Sequence, residues 1–303
     1  MSPFGPDSTA EEVTEGLDLT GRVALVTGTT SGLGLETLRV LALRGAHVIA
    51  TGRTRERAAE ACAEVGATER STPVGLDLED WPGIVSAAGE IRALGRPIDM
   101  LICNAGIMHP QDLRLVNGFE QQFAINHLGH FILCNRLIDL VRDAPQGRVV
   151  VVSSQLLRAA PQGGIDFTNL DGSRGFDTAQ MYGQSKLANA LFAIELARRE
   201  SATAVTSNTL HPGVANTNLD RARPAWRRAL SRLLSFRHDY VKSIPAAAAT
   251  QVYLATSPAL STTSGYYFED CNPVASPSAY LEDAGLAAEL WKRSEEFTSA
   301  YLA

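Results

Sequence analysis

The 303-residue chain is short of most features that mark a specialised protein. Cysteine is scarce. Cys62, Cys103, Cys134 and Cys271 are widely spaced, which excludes a disulfide framework and favours a reducing, cytoplasmic setting. Three of them stand in apolar stretches, where cysteine behaves as a small hydrophobe. No run approaches the roughly 18 consecutive apolar residues of a membrane span, so no span is expected. The N-terminus, MSPFGPDSTAEEVTEG, lacks a basic stretch leading into an apolar one and does not read as a signal peptide. Positive charge is not in excess: 27 Lys and Arg against 33 Asp and Glu leave a net charge of −6. A nucleic-acid binder would normally carry a strongly basic domain, so no nucleic-acid partner is expected. Neither disorder nor a fibrous repeat is indicated by 25 Gly and 14 Pro. What the chain does have is 45% hydrophobic residues, enough at this length for a sizeable buried core.

Those residues are arranged in alternation. Short apolar runs begin at Val23, His47, Thr72, Met100, Val149 and Val205. Their apolar residues are consecutive, which reads as strands buried on both faces. Helical patterns lie between them near 33–44, 54–65, 82–94, 119–142 and 183–200. Repeated strand–helix alternation implies an α/β fold, a doubly wound parallel sheet of about seven strands with helices on both faces. Right-handed crossovers then gather the important loops at the carboxyl ends of the strands. No linker divides the chain. Residues 1–16 read as a flexible N-terminal arm and 17–303 as a single domain with a C-terminal extension.

The first strand runs into Thr27-Gly28-Thr29-Thr30-Ser31-Gly32-Leu33-Gly34 and then a helical pattern. Glycines allow a tight turn and close backbone approach, and the helix N-terminus offers free N–H groups to a pyrophosphate. Thr29, Thr30 and Ser31 add hydroxyl donors. The second strand ends in Thr51-Gly52-Arg53-Thr54-Arg55. An acid there would accept from an adenosine ribose hydroxyl, whereas arginine suits a 2′-phosphate. The acid is missing, so NADP(H) is favoured over NAD(H), with Arg53 as the phosphate ligand. Asp77 and Leu78 after the third strand, and Asn104-Ala105-Gly106 after the fourth, should open on the same edge and line the cofactor. Asp77 could receive the adenine amino group.

Tyr182 and Lys186 are four apart in a helical pattern and present their heads side by side. A free phenol has a pKa of about 10, and bringing it near neutrality takes about 2–3 units, which a neighbouring ammonium and a nicotinamide cation can supply. The buried strand from Val149 ends in Ser153 and Ser154, where a hydroxyl can hold a substrate oxygen. Asn126 is a polar residue among apolar neighbours in a helix, where asparagine is not favoured, and its place suggests a buried hydrogen-bond role.

Together these residues resemble the short-chain dehydrogenase/reductase family over roughly 17–272, on Thr27-Gly28-x-x-x-Gly32-x-Gly34, Asn104-Ala105-Gly106, Asn126, Ser154, Tyr182-x-x-x-Lys186 and Pro212-Gly213. The resemblance implies a Rossmann-type sheet and an oxidoreductase that interconverts an alcohol and its carbonyl. In it Ser154 positions the substrate oxygen, Tyr182 is the general acid or base, and Lys186 binds the nicotinamide ribose and lowers the tyrosine pKa. Asn126 holds a water in the proton relay, and Ser153 faces the cofactor. Pro212, Gly213 and Val214 turn against the nicotinamide. The stretches Asn126-His-Leu-Gly-His-Phe, Gln184-Ser-Lys-Leu-Ala-Asn and Tyr266-Tyr-Phe-Glu-Asp-Cys are similar to the retinol-dehydrogenase-like branch. That branch usually has a histidine after the serines, whereas Leu157-Arg158 stand here; this and the lack of an N-terminal anchor argue against retinol itself. The resemblance also implies a homodimer or homotetramer, paired through helices 119–142 and 183–200.

An amphipathic pattern over 221–237 (Trp226, Leu230, Leu233 and Leu234 against Arg227, Arg228 and Arg232) reads as a substrate lid near 215–240 that closes a hydrophobic pocket. A surface helix and a membrane-surface contact are the alternatives. His127 and His130 are three apart, but no third ligand accompanies them, and no metal is expected. Two other functions fit parts of the pattern. A dinucleotide-sensing regulator would not need the intact Ser154, Tyr182 and Lys186, and a sugar-nucleotide epimerase is disfavoured by the glycine spacing.

Overall fold

A computed structural model describes residues 2–215 and 241–302; the lid expected over 221–237 lies outside the described residues. The six apolar runs form strands β1 (Val23–Val26), β2 (His47–Gly52), β3 (Ser71–Gly75), β4 (Met100–Cys103), β5 (Arg148–Val152) and β6 (Thr206–His211). Two short strands follow, β7 (Tyr267–Glu269) and β8 (Asn272–Pro273). The eight lie in the order β8-β7-β6-β5-β4-β1-β2-β3, parallel except for β8 against β7. The sheet is thus one strand wider than expected. Its fold is the Rossmann-like doubly wound arrangement.

Consecutive apolar residues are needed in β1, β2, β4 and β5 because each feeds two cores. The edge strand β3 buries only Val74, and the largely polar β6 gives only Leu210 to a core, so the expected burial of apolar residues on both faces fails for these two. Leu25, Leu101, Val149 and Val151 point into one, with α3 (Trp81–Ala93), α4 (Gly129–Arg142) and α5 (Thr178–Arg199). Ala24, Val26, Ile102 and Val150 point into the other, with α1 (Gly32–Leu43), α2 (Arg55–Glu64) and α6 (Ile244–Thr256). The chain passes from β1 outward to β2 and β3, then returns to β4 on the other side of β1. Loops leaving β1 and β4 therefore diverge, which opens a crevice at the carboxyl edge.

Three departures from the sequence reading have local causes. Part of the expected arm is docked: Ala10 and Val13 are buried in the second core, Ala10 N donates to Pro245 O at 2.9 Å, and Arg44 holds Glu11 O at 2.8 Å. The helix carrying Tyr182 begins at Thr178 rather than at the tyrosine, because Asp177 caps it, accepting from Ala179 N and Gln180 N at 2.9 Å. The pattern over 119–142 is not one regular helix. Phe119–Glu120 is a short strand, Gln121–Phe123 a single turn, and Ala124–Leu128 a π-helical segment leading into α4.

The C-terminal helix α7 (Ala284–Thr298) packs on α5. Its Trp291 stacks on Phe192, meets Phe131 edge-on, and lies 4.2 Å beneath the Arg199 guanidinium. Trp291 thus sits between α4 and α5, the helices to which the resemblance assigns subunit pairing, so two copies joined through them would have to pair around α7.

Candidate active site

A cleft of about 680 Å³ follows the carboxyl edge of the sheet. At one end it is lined by Arg53, Asp77 and Leu78, in the middle by Thr30, Ser31, Gly32, Leu33 and Gly34, and at the other end by Ser154, Tyr182 and Lys186. Gly28, Asn104, Ala105, Gly106, Pro212, Gly213 and Val214 line it too. The structure therefore brings all the cofactor positions read from the sequence except Thr29 to one cavity.

The glycine turn is closed by its own backbone. A Cβ on Gly34 would lie 2.1 Å from Gly28 O, so no side chain fits there. Asn104 Nδ2 donates to Thr27 O at 2.8 Å, tying the turn after β1 to the turn after β4. Ser31, the N-cap of α1, makes no capping bond with its side chain, whereas α2, α3, α5, α6 and α7 are each capped by theirs. The first N–H groups of α1 stay open to an anion in the cleft. The hydroxyl of Thr29 is not a donor to the cleft as expected; it is buried and donates to Thr51 O at 3.1 Å. Of the two arginines, Arg55 is committed to Glu90 at 2.6 Å and Pro73 O at 3.0 Å. Arg53 lines the cleft and has no ion-pair partner among the described residues.

At the chemical end, Tyr182 is 3% exposed and the Lys186 ammonium lies 5.9 Å from its ring centroid. Lys186 Nζ donates to Val152 O at 3.0 Å, and burial lowers its pKa to about 8. Ser154, two residues beyond the end of β5, lines the cleft, its hydroxyl accepting from Leu156 N at 3.2 Å. Ser153 lines the same cleft, and its Oγ donates to Lys186 O at 2.7 Å, which braces α5 against the end of β5. Gly183 makes this meeting possible: a Cβ there would lie 2.7 Å from Leu156 O, Ala159 C and Ala160 N, so only glycine lets the turn after Ser154 rest on α5 beside Tyr182.

Asn126 lies in the π-helical segment, a form that recurs at functional sites. Where the resemblance implies a water, protein groups occupy its amide. Oδ1 accepts from Ile107 N at 2.8 Å, and Nδ2 donates to Ile107 O and Ser185 Oγ, each at 3.0 Å. A family model described as short chain dehydrogenase matches residues 22–228. The chain belongs to the short-chain dehydrogenases. It is accordingly an oxidoreductase acting on CH–OH groups with NAD(P). It is 38% identical over 300 residues to short-chain dehydrogenase TIC 32 A, chloroplastic, from Brassica napus, covering 96% of this chain and 92% of that one. Retinol dehydrogenase 14 from Mus musculus is 38% identical over 291 residues, covering 91% and 85%. A crystal structure of an uncharacterized protein from Mycobacterium paratuberculosis superposes with a TM-score of 0.75 at 30% identity, covering 95% and 97%.

The dehydrogenase also holds a buried relay that the sequence did not flag. Thr27 Oγ1 accepts from Asn104 N and Ala105 N, both at 2.9 Å, which uses its two lone pairs. Its proton therefore goes to His130 Nε2 at 2.9 Å rather than to Ile102 O at 3.4 Å. The other ring nitrogen of His130 then carries the proton and donates to Asn126 O at 2.9 Å. Burial holds His130 neutral, its pKa lowered to about 4. His127 instead donates to Ser294 Oγ of α7, whose own proton goes to Leu290 O. Each histidine is thus engaged with a protein hydroxyl. Thr27→Val should cost about 2–4 kcal/mol, because two backbone N–H groups and one ring nitrogen lose their partner inside the protein. Thr27→Ser should stay within about 1 kcal/mol of wild type in urea unfolding, and equal midpoints for the two variants would refute the relay.

Among the described residues no helix is long and apolar enough to cross a membrane.

Proposed function

We propose that this dehydrogenase uses NADP(H) in preference to NAD(H) and interconverts a hydrophobic alcohol with its aldehyde or ketone. One observation carries the reading: a single cleft joins Arg53, which has no ion-pair partner among the described residues, to the Ser154, Tyr182 and Lys186 cluster. The cavity suits a dinucleotide. Its middle is the uncapped start of α1, and its volume is that of an ordinary cofactor site. Arg53 would take the 2′-phosphate as a charge-assisted, bidentate pair, and Lys186 would hold the nicotinamide ribose.

The nicotinamide, when bound, supplies or accepts the hydride. The protein handles the proton. Ser154 donates a hydrogen bond to the substrate oxygen, and Tyr182 gives or takes the proton there. Lys186 favours the phenolate by its charge, and Asn126 fixes the loop at Ile107 beside Gly106 and Lys186. The cleft is also lined by Ile107, Met108, Pro110, Ile125 and Leu156, which supports an apolar substrate.

Arg53→Ala should raise the Kd for NADPH about 10–100-fold, the loss of one charge-assisted pair, and change that for NADH less than about twofold. Intrinsic fluorescence titration reads both. Equal losses for the two dinucleotides would overturn the phosphate role. Turnover is tested by NADPH oxidation against apolar aldehydes, ketones and quinones. NADPH binding with no turnover on any of them would favour a dinucleotide sensor instead.

A further inference from the structure

His109 takes no part in the chemistry just described, yet the structure works to hold it in an uncommon backbone conformation. Its φ is +50°, a left-handed value that non-glycine residues seldom adopt. Strain of this kind persists where the surroundings over-determine it, and here they do. The N–H of His109 donates to Gln122 Oε1 at 2.9 Å, and Gln122 is fully buried. Gln122 Nε2 in turn donates to Thr178 O at 3.1 Å and Glu120 Oε1 at 3.3 Å. Thr178 is the first residue of α5, the helix that carries Tyr182. Two residues upstream, Asn126 grips both the N–H and the C=O of Ile107. Two buried amide side chains from one segment therefore pin the loop at Ile107 and at His109. The consequence is a ring contact: the imidazole of His109 lies 5.3 Å from the Tyr182 ring at an interplanar angle of 70°, the edge-to-face arrangement that aromatic pairs favour.

We infer that His109 is a positioning residue for Tyr182. Its ring, carried on a backbone fixed by Gln122 and Asn126, blocks the phenol from swinging away from the substrate oxygen. The inference rests on the reading of Tyr182 as the proton-transfer group. Displacement of a reacting group by about 1 Å can cost about 100-fold in rate, so a fixed neighbour can set kcat without touching substrate.

The test uses the full-length enzyme with two variants. His109→Asn tolerates a positive φ and deletes the ring; His109→Phe keeps an aromatic edge and cannot titrate. His109→Asn should lower kcat about 10–100-fold, with the KM for NADPH and for the carbonyl substrate within about twofold, and His109→Phe should recover kcat to within about threefold. A second readout needs no turnover. In enzyme carrying tyrosine labelled with 13C at Cζ, the Tyr182 resonance is the one missing from Tyr182→Phe. It should shift or broaden in His109→Asn and return near its original position in His109→Phe. An unchanged kcat in His109→Asn would overturn the inference, as would equal losses in both variants or a fall in NADPH affinity in step with kcat. If the wild-type enzyme reduced no carbonyl, the proposed reaction would fail, and the resonance alone would decide the contact: shifted, it stands; unmoved, it falls.

Discussion

Tyr182→Phe is expected to lower kcat about 100- to 10,000-fold, the usual contribution of a positioned general acid or base, while NADPH binds with unchanged affinity. The change deletes one oxygen and leaves the ring. That ring is almost wholly buried and packs against His109, so the fold should persist, and the loss can be assigned to proton transfer. A phenol is a poor acid at neutral pH; in the proposed reaction the phenolate is favoured by the Lys186 ammonium, which lies 5.9 Å from the ring centre with both side chains buried. Stopped-flow measurement of NADPH oxidation on any substrate the wild type accepts, paired with NADPH titration, gives both numbers. Turnover within tenfold of wild type with intact binding would remove Tyr182 from the chemistry. Loss of NADPH affinity in proportion to kcat would show instead that the oxygen serves binding.

The parts of this site that could be read without coordinates are those set by local spacing. Gly28, Gly32 and Gly34 stand out because a backbone turn at a helix start admits no side chain, and Tyr182 and Lys186 because four residues make one helical turn. The strands were legible for a related reason. Successive residues such as Ala24 and Leu25 enter different cores, so both must be apolar and no polar alternation interrupts the run. The doubly wound class followed from the strand–helix alternation, whereas the order of the strands came from the structure.

What stayed hidden depends on contacts between distant segments. Thr27 looks like an ordinary strand-end threonine; its role as a hub comes from Asn104, Ala105 and His130, which arrive from two other elements. The bond from Ser153 Oγ to Lys186 O joins the end of β5 to a helix residue 33 positions away, a contact that local spacing does not announce. The docking of residues 10–14 escaped because two small apolar residues in a polar stretch carry little signal, although they bury fully against α6. The π-helical turn at Asn126 gives no periodicity of its own. A signal for Gly183 was present: a glycine one position after Tyr182 within a helix costs about 1 kcal/mol against alanine, and such a cost invites a packing explanation.

Lys186 yields the second large prediction, in which stability and activity move in opposite directions. Burial lowers its pKa from 10.5 to about 8, a difference of about 3 kcal/mol. Below pH 8 the lysine is charged in both folded and unfolded chains, and the folded state bears the full cost of burying that charge. Between pH 8 and 10.5 the unfolded chain holds the extra proton, so stability should rise with pH across this window. Lys186→Met removes the charge at similar volume. It forfeits the bond to Val152 O, but that carbonyl keeps Asn189 Nδ2 at 3.2 Å, and the lost bond is worth only about 1 kcal/mol. At pH 7 the variant should therefore be about 1–2 kcal/mol more stable than wild type, a rise in Tm of several degrees, and the gap should close toward pH 10. Its kcat should fall at least about 100-fold, because in the proposed reaction the phenol loses its neighbouring cation. Thermal unfolding at pH 7 and at pH 10, beside turnover at pH 7, separates the two effects. A variant less stable at pH 7 would mean that the buried ammonium is already compensated. Lysine would then be kept at this position by the fold, and its link to the tyrosine would lose its physical basis.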